Sequence, residues 1–124
     1  MSESGHALIF VYGTLKRGGS NHAFLIGQTF LQSARTVAGY SLVHLRDFPG
    51  MISDDADQIG VAGELWKVDL TCLAQLDDLE GVDEGLYRRE AIQLQGFSEN
   101  ERVETYLYAG DILDRPRLPH GHWP

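Results

Sequence analysis

The chain has 124 residues, 43% of them hydrophobic and 23% charged, with a formal net charge of −8. That length fits one compact domain with a core large enough to stand without staples, and the acidic balance argues against a nucleic-acid backbone or an anionic membrane as partner. A single cysteine, Cys72, allows neither an internal disulfide nor a cysteine metal cluster, and it suits a reducing, cytoplasmic setting.

Residues 1–7 read as a short flexible lead without the basic start and apolar stretch of a secretory signal. No apolar run approaches the ~18 residues of a membrane span. Leu8-Ile9-Phe10-Val11 is continuously apolar, as expected of a strand buried on both faces, and places a first strand over 8–12. A loop follows from Gly13 to Gly19. Successive backbone N–H groups in such a turn form a concave anion site, and Lys16-Arg17 adds positive charge. The other reading of the same residues is an ordinary strand-to-loop turn with an exposed basic pair.

Ser20 can cap a short helix over 21–26 that Gly27 stops. Residues 37–45 read as a strand. Asp47-Phe48-Pro49-Gly50 reads as a turn, followed by a short strand at 51–53 and a polar turn at 54–58. Residues 60–68 alternate as a strand, with Ala62, Glu64, Trp66 and Val68 on one face and Val61, Gly63, Leu65 and Lys67 on the other. The best helix spans 71–80. Leu73, Leu76 and Leu79 recur at helical spacing, Asp69 or Thr71 can cap it, and Gly81 can end it. Residues 87–95 and 102–109 read as two more strands around a polar, hairpin-like turn at 96–101. The tail, 110–124, carries Pro116, Pro119 and Pro124 and reads as irregular. The order β-loop-α-β-β-β-α-β-β, with several links too short for crossovers, points to one α+β domain over 1–124: a small mixed, barrel-like sheet with two short helices.

Leu73, Leu76 and Glu80 stand at i, i+3 and i+7 of the second helix and share one face. Glu80 is thus a carboxylate placed where the core, or a cavity in it, belongs. Burial, the negative end of the helix and the nearby Asp77 would each raise its proton affinity, and a Glu tuned upward can take and return a proton near neutral pH. The alternative is a helix that frays after Leu79 and leaves Glu80 in water. Among other carboxylates, Glu64 faces either a pocket or solvent, Asp83 and Glu84 sit in a solvated turn, and Glu90 pairs with the basic residues before it.

Several patterns fall short of a site. Gly13 and Gly18 fit the phosphate-loop spacing, but Gly19 stands where that loop needs its lysine. His120-Gly121-His122 lacks a third ligand for a catalytic zinc, so no metal is expected. His22 and His44 read as surface or core histidines, and Cys72 as a small buried hydrophobe. Thr14 and Ser20 lack the setting of an activated nucleophile.

Tyr12-Gly13-Thr14-Leu15, then Asn21-His22, Gly63 to Val68, Leu76-Asp77-Asp78-Leu79-Glu80-Gly81 and Tyr87-Arg88-Arg89 together resemble the γ-glutamylcyclotransferase-like family. The resemblance runs from about residue 8 to about 109. The stretch from Tyr12 to His22 is especially similar to the γ-glutamylamine cyclotransferase branch. The resemblance implies a small mixed α+β barrel with a cavity at one end. It implies that backbone N–H groups of Tyr12, Gly13, Thr14 and Leu15 cradle a glutamyl group, that Tyr87 walls the pocket, and that Glu80 is the general acid/base. The implied substrate is a small molecule, an L-γ-glutamyl amine or peptide, and the implied products are 5-oxoproline and a free amine, with no cofactor. The tail keeps only a loose echo, Gly121-His122-Trp123, of the Gly-Asp-Trp ending of many bacterial-type members. A non-catalytic domain that binds a small carboxylate with the same loop is the alternative.

Overall fold

The computed structural model describes residues 5–45, 47–97, 101–113 and 115–124. Seven strands form one mixed sheet: β1 (His6–Val11), β2 (Thr29–Arg35), β3 (Tyr40–His44), β4 (Pro49–Ser53), β5 (Ala62–Asp69), β6 (Tyr87–Ile92) and β7 (Val103–Tyr108). Among the described residues one α-helix, α1 (Leu70–Leu79), packs on it. The α+β class and mixed sheet match the expectation. The sheet curls until residues beyond β2 and β6 meet at a single bridge, Thr36 to Leu94, and does not close into a barrel. The first of the two expected helices is only a 3-10 turn, His22–Leu25. Its Asn21 cap makes no side-chain bond to the turn, and so few residues cannot repay helix nucleation.

β1 is buried on both faces, as its apolar run requires. Ile9 and Val11 join the cluster under α1, with Trp66, Val68, Leu73 and Leu76, while Phe10 joins Leu42, Met51, Leu65 and Leu107 on the other side. β5 alternates as expected, with Trp66 and Val68 in the first cluster and Leu65 in the second. The expected lead is shorter than its range, because His6 and Ala7 already belong to β1, and residues 1–4 lie outside the described residues. Residues 98–100 of the expected hairpin turn and Asp114 of the tail lie outside them too.

Two differences from expectation concern strands. β2 does not stand out in the sequence. It is a largely exposed edge strand paired with β5, with a bulge between Phe30 and Gln32 that breaks its alternation. Pro49 and Gly50 are not turn residues but the start of β4. Proline is tolerated at the first position of a strand. Gly50 is required by packing, since a Cβ there would lie 2.9 Å from that of Tyr108.

β7 organises the site. β6 runs antiparallel along its whole length, from Tyr87 opposite Tyr108 to Ile92 opposite Val103. Its other edge is shared by two parallel partners: β1, opposite Val103 and Glu104, and β4, opposite Leu107. Where β1 parts from β7, the Tyr12 phenol takes over. It donates to the Tyr106 carbonyl at 2.6 Å and accepts from the Met51 N–H at 3.1 Å. A cleft opens there, beyond the C-terminal end of β1, the kind of position where diverging parallel strands receive ligands.

α1 closes one side of that cleft. Asp69 caps it by accepting from the Cys72 N–H at 2.7 Å. It ends at Gly81, whose φ of +65° favours glycine over other residues, and Glu80 is its last cap residue.

Candidate active site

A cavity of about 360 Å3 occupies the cleft. Every residue that the resemblance assigns to a site lines it: Tyr12, Gly13, Thr14 and Leu15 after β1, Glu80 at the end of α1, and Tyr87 at the start of β6. The loop is held by its own bonds. Lys16 N–H donates to Gly13 O, Gly19 N–H to Lys16 O and Asn21 N–H to Thr14 O, while the Asn21 amide donates to the Thr14 hydroxyl. The main-chain N–H groups of Gly13, Thr14 and Leu15 have no acceptor among the described residues. They are available to an anionic or carbonyl oxygen in the cavity.

Glu80 is half-buried, and its carboxyl has neither ion pair nor hydrogen bond among the described residues. Burial pushes it up to about 7. Asp77 is not the cause expected from the sequence. Its charge is spent on Arg89, whose Nη1 lies 3.1 and 2.9 Å from its two oxygens, and on the Tyr106 hydroxyl at 2.7 Å. Burial also raises the phenols of Tyr12, Tyr87 and Tyr106, so all three stay protonated at neutral pH. The alternative of a helix frayed after Leu79 does not hold: the Glu80 N–H bonds to Leu76 O at 2.9 Å.

The basic pair does not serve the cavity. Lys16 donates to the Trp123 carbonyl, and burial lowers its ammonium pKa. Arg17 stacks over Phe30, with its guanidinium carbon 3.8 Å from the ring centre, and pairs with Glu64. Glu64 in turn is no pocket residue. It accepts from the Arg17 N–H and the Trp66 indole N–H, at 3.0 and 3.1 Å. Neither Lys16 nor Arg17 is among the residues that line the cavity.

Other lining residues carried no recognisable pattern in the sequence. Tyr106 is one, since simple alternation over 102–109 puts it on the same face as the charged Arg102 and Glu104. In a central strand both faces are covered, and Thr105, Tyr106 and Leu107 are all buried. Asp47 and Phe48 come from the β3–β4 connection, Pro49 from the start of β4, and Leu86 from the entry to β6. No described residue of the tail lines the cavity; the tail docks against β3, where His44 N–H donates to Pro116 O and Leu118 N–H to Leu42 O. Neither His120 nor His122 belongs to a metal-holding group, and no set of three or more His, Cys, Asp or Glu among the described residues could hold a metal ion.

The family model for gamma-glutamyl cyclotransferase, AIG2-like, matches residues 9–124. The chain belongs to this family. Among its relatives, the gamma-glutamylaminecyclotransferase A of Danio rerio is 35% identical over 114 residues, 86% of this chain and 70% of that protein. The gamma-glutamylaminecyclotransferase of Rattus norvegicus is 38% identical over 96 residues, 72% of this chain and 64% of that one. The crystal structure of an AIG2-like protein from Mus musculus superposes with a TM-score of 0.74 at 29% identity, covering 96% of this chain and 95% of that one. The chain is thus a gamma-glutamylcyclotransferase-like enzyme with the family's mixed α+β fold. No helix among its described residues is long and apolar enough to cross a membrane.

Proposed function

We propose that this enzyme converts an L-γ-glutamyl amine or peptide to 5-oxoproline and the free amine, with Glu80 as general acid/base. One observation carries the proposal: a carboxyl group pushed up to about 7 shares a cavity with the N–H groups of Gly13, Thr14 and Leu15, and none of these groups has a partner among the described residues. The names of the relatives support the same chemistry.

The substrate's own α-amino group closes a five-membered ring on its γ-carbonyl. The reaction is intramolecular, so the protein chiefly has to hold the folded conformer. Glu80 as carboxylate takes a proton from the α-ammonium. The amine lone pair forms the C–N bond, and negative charge moves to the carbonyl oxygen. Main-chain donors of the loop stabilise that charge or hold the substrate carboxylate. The oxyanion then collapses and breaks the C–N bond to the leaving amine as Glu80 returns the proton to it, and the ring nitrogen gives its second proton to the released amine, which leaves as an ammonium. A group with a pKa near the working pH suits both transfers. Tyr87 walls the pocket. The unpaired Cys72 fits a reducing compartment, the cytoplasm.

The test is 5-oxoproline release from a panel of γ-glutamyl amines, γ-glutamyl dipeptides and glutathione. The parent enzyme releases 5-oxoproline from at least one of them, and Glu80→Gln releases none while keeping its fold. Turnover by Glu80→Gln at the parent rate would remove Glu80 from the chemistry. Binding of 5-oxoproline without any turnover by the parent would leave a carboxylate-binding domain instead.

A further inference from the structure

The wall of the cavity beside Glu80 is phenolic, and each phenol has its proton committed elsewhere. Tyr106 donates to Asp77 Oδ1 at 2.7 Å, Tyr87 to the Pro49 carbonyl at 3.1 Å, and Tyr12 to the Tyr106 carbonyl at 2.6 Å. Carbonyls and ionised carboxylates only accept, so these directions are fixed. Tyr12 is also closed as an acceptor, because its oxygen takes the Met51 N–H. Tyr87 and Tyr106 receive no donor among the described residues. Both residues line the cavity, both feel the charge of Glu80, and each oxygen keeps a lone pair free among the described residues.

Asp77 is fixed in its role by Arg89, which holds both its oxygens and reaches Glu104 at 3.8 Å. Arg89 stands opposite Tyr106 in the β6–β7 register, two residues from Tyr87. The pair therefore spans α1, β6 and β7 behind the phenols. The charged side chains lining the cavity, among the described residues, are Asp47 and Glu80, both acidic.

We infer that the phenol oxygens of Tyr106 and Tyr87, together with the Glu80 carboxylate, form the seat of the substrate's α-ammonium, and that Asp77 and Arg89 are positioning residues that keep the Tyr106 proton turned away from it. An ammonium carries three N–H donors, and these three acceptors match it. The main-chain donors of Gly13, Thr14 and Leu15 are then left for the substrate's carboxylate and amide oxygens. The inference rests on the cyclotransferase proposal and divides the roles within it. The proton that Glu80 removes is one already hydrogen-bonded to it, while the phenols hold the nitrogen in place.

The experiment compares L-glutamate with glutarate, which differ only in the ammonium group, by titration calorimetry on the full chain at neutral pH. Parent protein favours L-glutamate by about tenfold or more, the scale of one hydrogen bond to a charged group. Tyr106→Phe removes the acceptor. Asp77→Asn can donate its amide to the phenol oxygen and release the phenol proton toward the cavity. Each variant should cut the L-glutamate preference severalfold and leave glutarate affinity unchanged. A preference near one in the parent, an unchanged preference in both variants, or equal weakening of both ligands overturns the ammonium seat. So does failure of both ligands to bind the parent. The cyclotransferase proposal is judged separately, by 5-oxoproline release.

Discussion

Glu64 holds Arg17 twice, accepting from its main-chain N–H at 3.0 Å and from its Nε at 3.1 Å. The two bonds are unequal in consequence. The guanidinium is half exposed, with 52% of its side chain accessible against 11% for Glu64. Burial alone would raise the Glu64 carboxyl, but the Arg17 N–H, the Trp66 indole and the Arg17 side chain outweigh it and hold it below the usual carboxylate range. Arg17→Ala should therefore cost less than about 1 kcal/mol. Glu64→Ala strands the Arg17 main-chain N–H and the Trp66 indole N–H, and should cost about 2–3 kcal/mol. Denaturant melts of the two variants check the ordering. Equal costs would mean that the ion pair, not the main-chain bond, anchors the loop.

Glu80 makes the site at the expense of the fold. Its pKa rises from an ordinary 4.5 to about 7 on folding. The folded state therefore binds more protons than the unfolded state between those values, and stability falls as pH rises through them. The contribution is fully present below the unfolded value and lost by the time pH has passed the folded one. Glu80→Gln, neutral at every pH, should be more stable than the parent at pH 8 by as much as about 3 kcal/mol. The gain should shrink to little near pH 4. Thermal melts of both proteins across that range measure it. A constant difference would mean that the carboxyl titrates normally.

The parts of this enzyme that were legible in the sequence are those with strong periodicity or strict local chemistry. β1 announces itself by Leu8 to Val11, and α1 by Leu73, Leu76 and Leu79 between the Asp69 cap and Gly81. The Glu80 position follows from that helix. β2 was not legible because its residues are mostly exposed and its bulge interrupts the period of two. Tyr106 was not legible because alternation distinguishes faces only where one face is wet, and β7 has neither face wet over Thr105 to Leu107. The fate of Lys16 and Arg17 was hidden for a different reason. Their partners, Trp123 and Glu64, lie 107 and 47 residues away in the chain.

Gly13 packs against Pro49 so closely that an added Cβ would lie 2.7 Å from the proline Cγ. Both residues line the cavity, so this contact sets the distance between the loop and the start of β4. Gly13→Ala should force them apart at a cost of about 1–3 kcal/mol. It should also lower kcat/KM by about tenfold or more, since displaced main-chain donors no longer meet the substrate oxygens. Steady-state kinetics on the best γ-glutamyl substrate, beside a melt, test both effects. Parent-like kinetics would show that the loop does not set the donors' position.

Lys16 and Trp123 join the same loop to the tail. The ammonium donates to the Trp123 carbonyl, while the indole stacks on His44 with ring centres 5.7 Å apart and packs on the cluster of Phe10 and Leu42. The bond and the ring can be removed separately, because one belongs to the main chain and the other to the side chain. Lys16→Met keeps an apolar stem but deletes the donor. It should cost about 1 kcal/mol and raise KM severalfold by loosening the turn that carries Gly13 to Leu15. Trp123→Ala keeps the carbonyl but deletes the packing, and should cost about 2–3 kcal/mol with a smaller rise in KM. Kinetics and denaturant melts on the two variants separate the effects. If Lys16→Met leaves KM unchanged, the loop's own bonds, from Lys16 N–H to Gly13 O and from Asn21 N–H to Thr14 O, suffice to hold it.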